Sequence, residues 1–299
     1  MHEGEVYTDA ALVRRLLAAQ FPQWADLPVE PVPSAGTDNA LYRLGDDMAV
    51  RLPRIDWAID QVEKEQRWLP KLAPLLPLDI PLPLAQGAPG EGYPWDWTIC
   101  RWLEGEEATA ENVPDLRRAA LDLARVIAAL QRIDPAGGPL PGEHNSWRGV
   151  PLFIRDASVR EAIAALGGML DAEEVTAAWE ASLDAPRWDR PPVWIHGDLQ
   201  PGNLLARDGR ICAVIDFGCL GVGDPACDLL PAWNFLDAEA RQVLRSALAV
   251  DDATWARGRG WALSVALIAL PYYLHTNPAI VAASWRVLDE VLAGGDRDA

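Results

Sequence analysis

Between Trp194 and Gly218 the chain reads WIHGDLQPGNLLARDGRICAVIDFG, and no other stretch narrows its folding choices as much. Val193-Trp194-Ile195 is a short apolar strand, and His196-Gly197-Asp198 turns out of it. Pro201-Gly202 forces a second turn before the strand NLLAR; RDGR is a hairpin turn of the Asp-Gly kind, and ICAVIDFG runs back as the partner strand. Such a hairpin brings Asn203, near the start of one strand, close to Asp216, near the end of the other. Asp198, in the loop just before, can reach the same end. A turn and a hairpin with no chemistry is the plain reading. Yet two carboxylates and a carboxamide at one point repel unless a cation joins them. Mg²⁺ suits such hard oxygens when phosphate oxygens complete its octahedron, and an aspartate left off the metal can orient a hydroxyl toward a phosphoryl group.

The rest of the chain supplies a scaffold for that end. Thr8 followed by DAALVRRLLAAQF predicts a capped helix with Leu12, Val13, Leu16 and Leu17 on one stripe. Strand-like runs follow, with a loop at Ser34 to Asn39 and a short strand around Met48 to Leu52. IDWAIDQVEKEQRWLPKLAPLL reads as a helix until Pro70 and Pro74 disturb it, and a further strand pair ends in WDWTICRWLEGE. After Gly105 the character changes. VPDLRRAALDLARVIAALQRID is amphipathic, PAGGPLPGEHNSWRGVPL is a Gly- and Pro-rich loop, and the remainder is mostly helical apart from the strands already named. The expected organisation is therefore a strand-containing lobe over residues 1–100, a linker over 101–107 and a helical lobe over 108–299, with a cleft between the lobes as the natural ligand site.

Length and composition remove several alternatives. The chain has 299 residues, half of them hydrophobic, which is enough to bury a sizeable core and argues against disorder. Its longest apolar stretch, Trp261 to Leu274, is too short to span a membrane, contains Pro271 and reads as a buried core helix. The N-terminus lacks a signal-peptide core, and Cys100, Cys212, Cys219 and Cys227 form no CxxC pair, so reduced cysteines in a cytoplasmic protein are expected. With 26 basic against 44 acidic residues the net charge is −18, which argues against nucleic acid as a partner and suits a cationic small substrate, or simply solubility. No obligate protein partner is evident in the sequence.

HGDLQPGN followed by IDFG resembles the catalytic loop and metal-binding motif of the kinase-like aminoglycoside phosphotransferase family, whose protein-kinase counterparts read H-R-D-L-x-x-x-N and D-F-G. GVGDPACDLL, the strand MAVRLPR and the linker RWLEGE are similar to that family as well. The resemblance implies an α+β, bilobal protein-kinase-like fold with a small strand-containing N-lobe and a larger helical C-lobe. It makes Asp198 the catalytic aspartate, gives Asn203 and Asp216 to Mg²⁺, and makes His196 a structural residue. Asp224 would brace the loop by capping backbone N–H groups or pairing with a basic residue, and Asp228 would do the same or face the substrate. In the N-lobe it implies that Arg51 contacts the nucleotide phosphates where protein kinases carry lysine, with Glu65 rather than Glu63 holding it. The loop at Ser34, Gly36 and Thr37 either covers phosphates or is a plain hairpin. Cys100 is the expected gatekeeper, and the backbone of Arg101 and Leu103 would read the base edge, which leaves ATP or GTP open as the donor.

The acceptor would be bound by the segments NSWRGVPLFIRD and PAWNFLDAEARQ, whose candidates are Trp147, Trp233, Asn234, Asp237 and Glu239. Acidic and aromatic side chains suit an aminoglycoside, and an apolar lining would suit a macrolide. A metabolic kinase for a choline-like, amino-alcohol or sugar hydroxyl is the next expectation, and a non-catalytic nucleotide-binding module the last. No activation segment ending in APE follows Gly218, which argues against a protein kinase.

Overall fold

The structure is a computed structural model, and it describes residues 5–33, 38–56 and 59–293. Its smaller lobe is built on a five-stranded antiparallel sheet of β1 (Val29–Pro31), β2 (Asn39–Leu44), β3 (Met48–Pro53), β4 (Pro83–Gly87) and β5 (Trp97–Arg101), in the order β1-β2-β3-β5-β4. Helix α1 (Ala10–Gln20) is capped by Asp9, whose carboxylate accepts from the N–H of Leu12. The stripe of Leu12, Val13, Leu16 and Leu17 packs against Tyr42, Val50, Trp97 and Ile99 of the sheet. A period of 3.6 residues on the helix thus meets a period of two on the strands.

Helix α2 (Ile59–Leu72) lies between the lobes and belongs to both. Pro70 does not end it. The helix runs two residues further, because Pro70 is exposed and forfeits only one backbone bond, and a 3-10 turn at Ala73–Leu75 finishes the segment. Leu69 and Leu72 join the hydrophobic core of the larger lobe, and the Trp68 ring meets Trp194 edge-on at 4.7 Å. Gln66 on the same helix donates to the Ala85 carbonyl of β4.

The larger lobe is mainly helical: α3 (Leu116–Arg132), α4 (Asp156–Ala165), α5 (Ala172–Leu183), α6 (Pro231–Asn234), α7 (Ala238–Leu248), α8 (Asp252–Tyr273) and α9 (Pro278–Ala293). The stretch from Trp261 is the second half of α8, and its Trp261, Leu263, Leu267 and Leu270 are core residues. Among the described residues no helix is long and apolar enough to cross a membrane. Three short strand pairs carry the functional end. β8 (Leu204–Arg207) and β9 (Arg210–Val214) form the Asp-Gly hairpin, with Asp208 and Gly209 both at positive φ (54° and 78°), as a tight primed turn requires. β6 (Glu106–Glu107) adds to its edge, and β7 (Val193–Ile195) pairs with β10 (Gly221–Gly223).

Candidate active site

The loop leaving β7 is fixed from below. Gly197 adopts φ +83°, and a Cβ there would sit 2.6 Å from the Cys219 carbonyl oxygen, so only glycine lets the two loops touch. The His196 ring is fully buried, placed edge-on to Phe217 at 4.6 Å. Its Nδ1 accepts from the Asp198 N–H (3.2 Å) and its Nε2 donates to the Ile215 carbonyl (3.1 Å), a network that assigns the proton to Nε2. His196 therefore ties the loop to the strand that delivers Asp216 and does not open onto the cleft.

Asp228 is also fully buried. Its carboxylate accepts from the N–H groups of His196 (2.8 Å) and Gly197 (2.7 Å), while burial pushes its pKa up. Of the two expectations for Asp228 the contacts match the bracing one: both oxygens accept from the loop backbone, and the residue does not line the cleft. Asp224 caps the turn at Pro225–Leu229 through the Ala226 N–H and pairs with Arg257, Nε to Oδ2 at 2.7 Å and Nη2 to Oδ1 at 3.2 Å. Both partners of that pair are about 4 % exposed.

Above this platform the three oxygen-bearing side chains converge. Asn203 Nδ2 donates to the Asp198 carbonyl (2.8 Å) and to Asp198 Oδ2 (2.9 Å), and Gln200 Nε2 reaches the same Oδ2 (2.9 Å). Ile215 N–H bonds the Asn203 carbonyl at 2.9 Å, which sets Asp216 beside Asn203. Asp216 itself sits at φ 59°, and its Oδ1 accepts from the Gly218 N–H (3.2 Å) and from Arg51 Nη2 (3.2 Å). All three line one cavity of about 840 Å³ between the lobes. Among the described residues no cluster of three His, Cys, Asp or Glu side chains could by itself hold a metal. The donor set is one carboxylate and one amide oxygen, which fits Mg²⁺ taking its other ligands from phosphate and water and fits no all-protein cage.

Across the cleft, Arg51 Nη1 donates to both Glu65 oxygens at 2.7 Å, and Gln61 Oε1 lies 3.4 Å from Nη2. Glu65 is buried on the inner face of α2, whereas Glu63 points to solvent. Burial alone would lower the Arg51 pKa, but Glu65 and Asp216 more than offset it and the net shift is upward. Cys100 and the linker residues Arg101 and Leu103 line the same cavity. The Arg101 N–H is committed to the Leu82 carbonyl at 2.8 Å, which leaves its carbonyl as the backbone group that could meet a base edge. Leu103 N–H has no hydrogen-bond partner among the described residues and is free to do so. Ser34, Gly36 and Thr37 lie outside the described residues.

The expected acceptor residues fare differently. Trp233 is fully buried against Trp255 (4.9 Å between rings), because the short α6 turns it into the core. Asp237 caps α7 through the Ala240 N–H, and Glu239 pairs with Arg117 at 3.4 Å, both on the outer surface. None of the three lines the cavity, and of that segment Asn234 does. Lys64, Arg148 and Gln200 touch the loop or its aspartates and carried no sequence signal beyond being polar.

Burial also sets an alkaline signature. It pushes the Cys100 and Cys219 thiols up to about 12 and raises the Cys227 thiol well above its ordinary value, so above pH 9, the ordinary thiol value, the unfolded chain loses protons the folded one keeps and stability falls. Lys64 works the other way: burial lowers it to about 8, so between there and the ordinary 10.5 the unfolded chain holds the extra proton and stability rises with pH. With Lys64 and Arg155, which burial lowers to about 9, set against the three thiols, the urea midpoint is expected to climb slightly from pH 8 to 9 and to fall beyond, which a denaturation series across that range reads directly.

A sequence profile described as the phosphotransferase enzyme family matches residues 29–261. No curated protein matches the chain significantly. Among solved structures, the chain is similar to the GDP complex of aminoglycoside 2′-phosphotransferase-IIIa, with 20% identity over 96% of this chain and 99% of that one and a TM-score of 0.75. It is similar to the APH(2″)-IIa ternary complex with streptomycin and ATP at 19% identity, 93% and 95% coverage and a TM-score of 0.61. It is also similar to macrolide 2′-phosphotransferase MphH from Brachybacterium faecium at 24% identity, 93% and 97% coverage and a TM-score of 0.62. These likenesses establish the bilobal kinase-like fold.

Proposed function

The chain belongs to the phosphotransferase enzyme family, and from that membership we propose that it moves the γ-phosphoryl group of ATP or GTP onto a hydroxyl of a small molecule. The observation that carries the reading is the convergence of Asp198, Asn203 and Asp216 on one side of the cleft with the Arg51–Glu65 pair on the other. In this reading Asp198 orients the acceptor hydroxyl and takes its proton, and Arg51, aimed by Glu65, steadies the nucleotide phosphates. Asn203 and Asp216 would hold Mg²⁺, which when bound neutralises phosphate charge. Cys100 and Leu103 N–H form the base end of the pocket, with backbone readout that serves either purine.

The acceptor wall deepens the reading. Where α8 and α9 face the cleft, the cavity is lined mainly by Ala262, Val265, Ala266, Ala269, Ile280 and Ala283, with the hydroxyl residues Tyr273 and Ser284 among them and no carboxylate from either helix. A polycationic sugar would bury ammonium groups there without counter-charges, at several kcal/mol each. Asn234 adds a polar anchor from the facing side: its Nδ2 is spent on the Leu199 carbonyl at 3.0 Å, and its Oδ1 is buried with no partner. We therefore favour an acceptor with a broad apolar face and a few hydroxyls, a macrolide in preference to the aminoglycoside that the sequence suggested. The acidic residues behind the aminoglycoside expectation, Asp228, Asp237 and Glu239, do not line this wall.

A nucleotide-consumption panel tests both levels: ATP and GTP with Mg²⁺ against macrolides, aminoglycosides and metabolic alcohols, with phosphorylated product confirmed by mass. Turnover on macrolides is expected, and chelation of the metal should stop it. Turnover confined to aminoglycosides overturns the acceptor reading and leaves phosphoryl transfer standing. Silence across the panel, with Mg–nucleotide bound, overturns transfer itself.

A further inference from the structure

Arg148 is 8 % exposed, lines the cleft, and donates from Nη2 to Asp198 Oδ1 at 3.2 Å. Its Nε is buried without a hydrogen-bond partner. The segment that presents it is built at a conformational cost. Ser146 and Trp147 are consecutive non-glycine residues in the left-handed region, at φ 52° and 58°, and Gly149 follows at φ 82°. Such residues are strained and persist where their surroundings over-determine them, as they do around active sites.

Here the over-determination is visible. Asn145, fully buried, accepts from the Gly142 N–H (3.0 Å) through Oδ1 and donates to the Arg148 carbonyl (3.1 Å) through Nδ2. Trp147 N–H bonds the Gly142 carbonyl at 2.8 Å. From outside the turn, Lys64 Nζ donates to the His144 carbonyl (3.0 Å) and to the Gly218 carbonyl (2.5 Å), joining α2, this turn and the loop after Asp216 at one ammonium. The product of all these contacts is a guanidinium held against one oxygen of Asp198, while Gln200 and Asn203 hold the other.

We propose that Arg148 is a positioning residue for phosphoryl transfer: it locks the plane of the Asp198 carboxylate so that the acceptor hydroxyl meets it in a reactive orientation. The proposal rests on the role given to Asp198 above. Without Arg148 the carboxylate is tethered on one oxygen only and swings about its terminal torsion, a displacement of the scale that lowers catalysis about 10²-fold.

The test uses the full chain with Mg–ATP, measuring transfer to erythromycin and phosphate release with water as acceptor. Arg148→Met should lower kcat by about 10²-fold in both arms while the KM for ATP stays within about threefold. Arg148→Lys, which restores the charge, should recover part of the loss. In an Asp198→Asn background Arg148→Met should cost nothing further, because its effect passes through the carboxylate. An unchanged kcat with only a lower melting temperature reduces Arg148 to a structural role and overturns the proposal. Losses that add to those of Asp198→Asn assign Arg148 a contact of its own and overturn it equally. A wild-type protein inert in both arms and with every other donor and acceptor of the panel above sinks the Asp198 premise instead, and one active only on another acceptor moves the same variants to that acceptor, so the failures are told apart.

Discussion

Asp198→Asn should lower kcat by roughly 10²- to 10⁴-fold, the range that follows loss of a positioned general base, and leave Mg–nucleotide affinity nearly intact. The substitution is isosteric, but the surroundings of Asp198 do not treat it so. Both carboxylate oxygens are acceptors in the structure: Oδ1 from Arg148, Oδ2 from Gln200 and Asn203. An amide can accept on one side only. Two donors on the Oδ2 side outweigh one, so the amide oxygen should turn toward Asn203 and present its NH₂ to Arg148. Asn203 then keeps its place, and with it the oxygen meant for the metal. Loss of turnover without loss of nucleotide binding, read by steady-state kinetics beside calorimetric titration, is thus the expected signature. A variant that keeps kcat within about tenfold of wild type would remove Asp198 from the chemistry.

Arg257→Met carries the largest expected effect on stability, about 3–5 kcal/mol, because it strands the Asp224 carboxylate in a site about 4 % exposed. In a chain of this size that corresponds to a fall in melting temperature of roughly 6–15 °C. The guanidinium also bonds Thr254 Oγ1 (3.1 Å) and the Pro186 carbonyl (2.5 Å), so four acceptors lose their donor together. Adding Asp224→Asn should return a good part of the loss: the buried charge disappears and the amide oxygen can still cap the Ala226 N–H. Thermal melts of the single and double variants decide it. If the double variant melts below Arg257→Met, the stranded charge is not the cause.

What the sequence made legible follows from how local each interaction is. The Asp-Gly turn, the run into Asp216 and the spacing from Asp198 to Asn203 are short-range, and their geometry follows from strand alternation and one turn type. Asp237 was misread for the same reason in reverse. An aspartate followed by AEA is a helix cap before it is a ligand, and it caps α7. The strand partner of β7 was illegible because Gly221, Val222 and Gly223 offer almost no side-chain pattern to read. The pairs Arg148–Asp198 and Arg257–Asp224 join residues 50 and 33 positions apart, and nothing along the chain marks those arginines from the rest. The acceptor wall escaped notice because its alanines and valines read as ordinary core of a long apolar helix, and only the packing of α8 against α9 leaves part of that surface uncovered.

Helix α2 gives the protein one last property. Its lower face is rooted in the larger lobe through Leu69, Leu72 and Trp68, while its Glu65 grips an arginine on the sheet. Any swing of the sheet away from the helical body must therefore be absorbed at a few side-chain bonds, those of Arg51 to Glu65 and Asp216 and of Gln66 to the Ala85 carbonyl, and not by the helix drifting outward. A hinge loaded at those few bonds favours the assembled geometry even before a ligand arrives, and leaves the protein's output governed by what diffuses into it.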